Sequence, residues 1–280
     1  MVRRYAVGTA AGAALIVSLA GCQNDAGDGK QSDAKVPAAQ AISLASQKTA
    51  TIDSYKVAVT AGSTGQATGK LHGTIQIRLK PDLAATGSLD SASIMGQTVP
   101  GGERAILLGD SFYAKVPQQL SQFTGGKPWV KFSISQASQQ SGVNLDSIIK
   151  RANPAEQTKI FTGSKDARRV GTESIDGVKT THYAGTLTPE EAGKLDPKAK
   201  QAFKQFYQRS GANKVTFDLW VGKDSLPRKL VTKVAADKGT ASSTMIFSDY
   251  NKSFSVSAPP ASEVADGNQL KNAFGGQSHP

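Results

Sequence analysis

Lys70-Leu71-His72-Gly73-Thr74-Ile75-Gln76-Ile77-Arg78-Leu79-Lys80 is the stretch on which the fold turns. Leu71, Gly73, Ile75, Ile77 and Leu79 hold alternate positions, and Lys70, His72, Thr74, Gln76, Arg78 and Lys80 fill the places between. A period of two puts successive side chains on opposite faces, so this run predicts a strand with one dry face and one wet face. That pattern marks an antiparallel sheet, because a parallel strand is covered on both sides. Just upstream, Tyr55, Val57, Val59 and Ala61 repeat it against Lys56, Ala58 and Thr60.

Downstream, Leu83 to Ser91, Arg104 to Leu108, Ser111 to Val116 and Trp129 to Ile134 continue the strand series, with Gly109-Asp110 as a tight turn. The middle changes character. Asn144 to Ala152 and Pro154 to Phe161 read as helical, and Pro154 suits a first helical position, where its missing donor would be unpaired anyway. Strands return at Arg168 to Ser174 and Lys179 to Leu187 around an Asp176-Gly177 turn. Thr188 caps a helical stretch opened by Pro189-Glu190-Glu191, and a further helix runs from Pro197 to Gln208 with an aromatic stripe of Phe203, Phe206 and Tyr207. Lys214 to Val221, Pro227 to Ala236 and Thr240 to Tyr250 close the series. A helix over Ala38 to Ala50, with Ala41, Leu44 and Ala45 on one face, precedes it. The fold class is therefore α+β: many amphipathic antiparallel strands with a helical insertion. A sheet with one apolar face needs cover, and curling round helices gives a half-open barrel with an apolar hollow.

The ends of the chain carry a different signal. Arg3 and Arg4 precede an uncharged run from Tyr5 to Leu19, too short for a membrane span of roughly 20 residues and suited to a signal peptide. It ends in Leu19-Ala20-Gly21-Cys22, which resembles the bacterial lipobox, where a thiol takes diacylglycerol before cleavage. Cys22 is the single cysteine, so no disulfide framework, cysteine-based metal site or thiol catalyst is expected. The expected organisation is a leader over 1–21, a lipidated tether over 22–37, a folded domain over 38–260 and a disordered tail over 261–280. The tether is mostly Gly, Ser, Asp, Lys and Gln, a composition that cannot bury a core.

A net charge of +11 would suggest nucleic acid in a cytosolic protein, but export replaces that partner with anionic headgroups and cell-wall polymers. No nucleic acid, cofactor or metal is expected. His72, His182 and His279 are scattered, and the SxxK spacings at Ser32–Lys35 and Ser147–Lys150 lack their companion motifs. Trp129 and Trp220 are candidate sugar-stacking platforms, although a strand Trp is more often a packing residue. Lys198, Lys200 and Lys204 form a basic helix face.

Three segments together resemble a known family: the lipobox, the strand Phe217-Asp218-Leu219-Trp220-Val221 running through Lys223-Asp224-Ser225-Leu226-Pro227-Arg228-Lys229, and the closing Val256-Ser257-Ala258-Pro259. They are similar to the LppX/LprAFG lipoproteins of actinobacteria, which share the LolA/LolB-like shape. The resemblance covers most of residues 38–260. It implies a strongly curved antiparallel half-barrel with helices on its concave side, no enzymatic activity, and a cavity for lipid or lipoglycan acyl chains. By alternation, the cavity candidates are Val57, Val59, Ile75, Ile77, Leu79, Leu89, Val215, Phe217 and Leu219, closed by Phe203, Phe206 and Tyr207, with residues 144–208 as lid. The expected protein is a monomer on the extracytoplasmic face of the cell membrane, held by lipid on Cys22. An interaction module with a filled core, binding an envelope protein or cell-wall polymer, is the alternative.

Overall fold

The computed structural model describes residues 37–65, 68–94, 97–99, 101–134, 153–192, 211–212, 214–236 and 239–267, with isolated positions 194, 204 and 208. Cys22 and its leader, the tether up to residue 36, the helix expected over 144–152, the aromatic stripe of Phe203, Phe206 and Tyr207, and residues 268–280 lie outside the described residues.

Helix α1 (Ala38–Thr49) leads into β1 (Ser54–Ser63), β2 (Gly69–Arg78), β3 (Ala84–Ile94), β4 (Gln97–Val99), β5 (Glu103–Leu108), β6 (Ser111–Lys115) and β7 (Trp129–Ser133). Helix α2 (Pro154–Lys159) follows, then β8 (Arg168–Ile175), β9 (Val178–Leu187), α3 (Pro189–Ala192), β10 (Val215–Gly222), β11 (Pro227–Ala236), β12 (Gly239–Ser248) and β13 (Val264–Asp266). All 13 strands join one open, curved sheet in the order β13-β7-β6-β5-β3-β2-β1-β12-β11-β10-β9-β8, with β4 paired to β3. Every described pairing is antiparallel except β13 with β7.

Local chemistry explains the joints. Asp176 and Gly177 both take positive φ (47° and 80°), the geometry of a two-residue hairpin turn that follows strand twist. Asn153 caps α2, its Oδ1 accepting the Ala155 N–H at 2.9 Å, with Pro154 at the first turn as expected. Thr188 and Glu191 cap α3 reciprocally: Glu191 Oε2 accepts the Thr188 N–H at 2.9 Å, and the Thr188 hydroxyl oxygen accepts the Glu191 N–H at 3.3 Å.

Several expectations are corrected. The helix stripe buried by α1 is Ile42, Ala45 and Thr49, while Leu44 is exposed. The first strand run stops at Arg78, and the Leu79 N–H turns to donate to the Asp53 carbonyl at 2.7 Å. The last long strand stops at Ser248, because Asp249 (φ 53°) takes a left-handed conformation that breaks the ladder. The folded domain also runs past 260: β13 sits against β7, with Ala265 buried beside Val130. Three residues are too few to display a period, so β4 and β13 were not legible.

One hydrophobic cluster spans the loaded face. Tyr55, Val57, Ile77, Phe217, Leu219, Leu230 and Phe247 meet Ile42 and Ala45 from α1 and Phe161 from the turn after α2. The helices α1 and α2 pack on each other, joined by the Ser46 hydroxyl donating to the Ala155 carbonyl at 3.2 Å. They cover the side of the sheet that ends in β8 and β9.

Candidate functional site

Register shows how the loaded face changes from one side to the other. Tyr55, Ile77, Ala85, Leu107, Phe112 and Phe132 form one rung across β1, β2, β3, β5, β6 and β7. The next rung is Val57, Ile75, Gly87, Ala105, Ala114 and Val130, and here side-chain volume collapses across β3, β5 and β6 before it returns at β7. Beyond it, Val59 faces Gly73, which faces Leu89. The missing volume leaves a trough of about 360 Å³, lined by Gly87, Leu89, Ala105, Ala114 and Pro117 together with Ser88, Arg104 and Lys115. The last three alternate away from Gly87, Ala105 and Ala114, so their side chains point to the other face. Gly87 could not be enlarged freely, since a Cβ there would meet the Thr74 carbonyl oxygen at 3.2 Å and Ile75 Cγ1 at 3.4 Å.

The cavity candidates therefore separate. Val57, Ile77, Phe217 and Leu219 are wholly buried among other side chains, with the Phe161 ring stacked on Phe217 at 4.2 Å. Val59, Ile75 and Leu79 are half-buried against that cluster. Leu89 lines the trough. Val215 belongs to a small separate cluster with Ala212, Val234 and Ala236. Sequence alternation did not single out Gly87, Ala105 and Ala114, because small residues read as neutral in an apolar pattern. Only their alignment on one rung makes them the floor of a groove.

The opposite face of β9, β10 and β11 carries a polar aromatic cluster that sequence reading missed. Trp220 lies between its cross-strand neighbours His182 and Lys229. The imidazole stacks on it at 4.1 Å, and the Lys229 ammonium sits 4.5 Å from the ring centroid. Both neighbours and the buried state of Trp220 leave no ring face for a sugar. His182 Nε2 hydrogen-bonds Asp218 Oδ1 at 2.8 Å. Glu173 Oε1 lies 3.2 Å from His182 Nδ1 but outside hydrogen-bonding alignment. On the wet face of β2, His72 Nδ1 pairs with the Thr60 hydroxyl at 2.9 Å and Nε2 lies 3.5 Å from Asp90. Among the described residues no group of three His, Cys, Asp or Glu side chains is placed to hold a metal ion.

Burial acts on the titrating groups of the interior. It pushes the Tyr55 hydroxyl far above the ordinary phenol range, and that hydroxyl has no hydrogen-bond partner among the described residues. Tyr250 is raised in the same way, although its hydroxyl donates to the Pro227 carbonyl at 2.7 Å. Burial raises Tyr183 as well, partly opposed by the nearby Arg169 charge.

An open, curved antiparallel sheet with helices packed on its apolar side and a groove left on the same side defines the class of protein. Within that class the chain belongs to the LppX_LprAFG lipoprotein family, whose pattern it matches over residues 37–256. It is 30% identical over 174 residues to an uncharacterized 31.2 kDa protein of Streptomyces griseus, an alignment covering 59% of this chain and 57% of that one. The chain thus spans a little over half the length of that relative. LprF from Mycobacterium bovis superposes with a TM-score of 0.51 at 17% identity, over 81% of this chain and 100% of that one. LppX from Mycobacterium tuberculosis gives a TM-score of 0.47 at 20% identity, over 79% of this chain and 98% of that one. At such identity the likeness to LprF shows the fold alone.

Proposed function

We propose that this protein binds acyl chains of a lipid or lipoglycan on the loaded face of its sheet and carries or presents them at the cell envelope, anchored through lipid on Cys22. The observation that carries the reading is the trough floored by Gly87, Ala105 and Ala114. Ligand pockets run from about 300 to 1,000 Å³, so this one sits at the small end and suits part of one chain rather than a whole lipid. The half-buried Val59, Ile75 and Leu89 extend apolar surface beside it. Each methylene moved from water into such a groove gains about 0.8 kcal/mol, so an acyl tail is held by area alone, without a short motif. Exchange follows the same rule: a tail leaves a bilayer where the groove replaces its apolar surroundings. The fold and family support this reading, and the wholly packed state of Val57, Ile77, Phe217 and Leu219 restricts the ligand to the β2–β6 side.

Native mass spectrometry of the protein extracted from membranes tests it. Lipid adducts on the wild-type chain, reduced by Ala105→Trp at unchanged folding, are the expected result. A clean unloaded mass that takes up no added lipid overturns the carrier and leaves the packed interaction module. The anchor is tested by intact mass: the wild-type chain should begin at Cys22 with added diacylglycerol, and Cys22→Ser should keep residues 1–21. Equal processing of the two chains rules the anchor out.

A further inference from the structure

We propose that His182 works as a proton-operated clasp on the face of the sheet opposite the packed core: on taking up a proton it ties the edge strand β8 to β10 through Glu173 and Asp218. The ring belongs to β9, which lies between those two strands, and the residue is only 8% exposed. Each ring nitrogen looks at a carboxylate. Nε2 hydrogen-bonds Asp218 Oδ1 at 2.8 Å, while Nδ1 lies 3.2 Å from Glu173 Oε1 and has no hydrogen-bond partner among the described residues. A neutral imidazole carries one N–H and a carboxylate only accepts, so the neutral ring serves one carboxylate and turns a lone pair to the other. The protonated ring donates from both nitrogens and satisfies both. The Glu173 side chain is half-exposed, with room to turn into line.

Strand geometry supplies the aim. Arg168 pairs with Ala184 and Arg169 with Tyr183, after which the register shifts and Gly171 pairs with His182. Without that shift Val170 would stand opposite His182 and Thr172 opposite Thr180, and Glu173 would alternate to the other face. The extra residue instead places Glu173 opposite Thr180, on the His182 side. The buried Thr180 hydroxyl donates to the Glu173 carbonyl at 2.8 Å and fixes the backbone there. Gly171 leaves the space beside the ring open, since a Cβ on it would meet nothing within 4 Å. An edge bulge that re-aims one side chain is the device at work. Two cations share this face: Arg168, one pair along from His182 on β8, and Lys229 on β11, across Trp220. The Trp220 ring stacks on the imidazole at 4.1 Å, so it meets the charge of a protonated ring directly.

Amide hydrogen exchange on the full chain tests the clasp. Protection of β8, corrected for the intrinsic pH dependence of exchange, is compared at about pH 5.5 and about pH 8.5, either side of the ordinary imidazole value near 6.5. In the wild-type chain β8 should be about three- to fivefold better protected at the acid pH, the size of one partly solvated ion pair, with β5 unchanged. Glu173→Gln supplies an amide N–H that can donate to the unprotonated Nδ1, so in that chain the acid gain at β8 is lost or reversed. His182→Gln does not titrate and loses the gain as well. Emission from Trp220, isolated by Trp129→Phe, follows the proton itself: acid should quench it where the stacked ring takes up charge, and should leave it unchanged in the His182→Gln chain. Equal protection of β8 at both pH values, an equal change at β5, an acid gain kept in Glu173→Gln, or Trp220 emission independent of pH overturns the clasp.

Discussion

Single residues decide how the loaded face is held. Burial alone would raise the Asp166 carboxyl, but the Thr186 N–H and hydroxyl (both 2.7 Å) and the Ser164 hydroxyl (2.9 Å) donate to it and together hold it below the usual carboxylate range. A group whose folded value lies below its unfolded value stabilises the fold above the unfolded one, near pH 3.9, and loses that contribution as pH falls through the folded one. Asp166→Asn should therefore cost about 1 kcal/mol at neutral pH, a figure kept low because the group is largely solvated. The difference from wild type should shrink on acidification below about pH 4, and urea midpoints at neutral and acid pH check it. Gly185 is a second such residue: an added Cβ would lie 2.8 Å from Phe217 Cζ and 2.9 Å from Ser164 Oγ. Gly185→Ala should cost about 1–3 kcal/mol by overpacking, read as a lowered urea midpoint. Neither role was legible from the chain, because each depends on a cross-strand neighbour. The Trp220 cluster was hidden for the same reason: Asp218 and Trp220 visibly alternate with Phe217 and Leu219, but only register brings His182 and Lys229 to the ring.

At the scale of elements, alternation read correctly on β1 and β2, and turn chemistry correctly placed the Asp176-Gly177 hairpin, Pro154 in the first turn of α2 and the cap at Thr188. It failed on α1, where Leu44 was expected inside and Ile42 occupies that place, since the helix angle is set by what the partner strands leave open. The packed and open parts of the loaded face should answer mutation differently. Phe217→Ala removes a fully buried ring stacked on Phe161 and should cost about 3–5 kcal/mol. Ala105→Leu grows into the trough and should change stability by less than about 1 kcal/mol while reducing lipid adducts. Paired denaturation and native mass measurements separate the two; a large loss of stability from Ala105→Leu would mean that the trough is not free space.

Across the whole molecule, the sheet ends on one side in β13, which lies inside the stretch read as tail. Ending the chain after Pro260 should strip the cover from β7, expose the backbone beside the buried Val130, and leave an unpaired strand edge that invites self-association. Sedimentation velocity should show larger species for the shortened chain; a monomer of unchanged stability would show that β13 is ornamental to the sheet. The amino-acid sequence by itself determined the long strands, the apolar face of β1 and β2 and the Asp176-Gly177 turn, because period and turn chemistry are local properties of the chain. Tertiary structure alone decided that β1 lies beside β12, that β13 runs parallel to β7, and that Gly87, Ala105 and Ala114 share a rung. Alternation says which side of a strand is dry but carries no information about what covers it. Whether an apolar residue is packed or left open is settled only by neighbours distant in the chain.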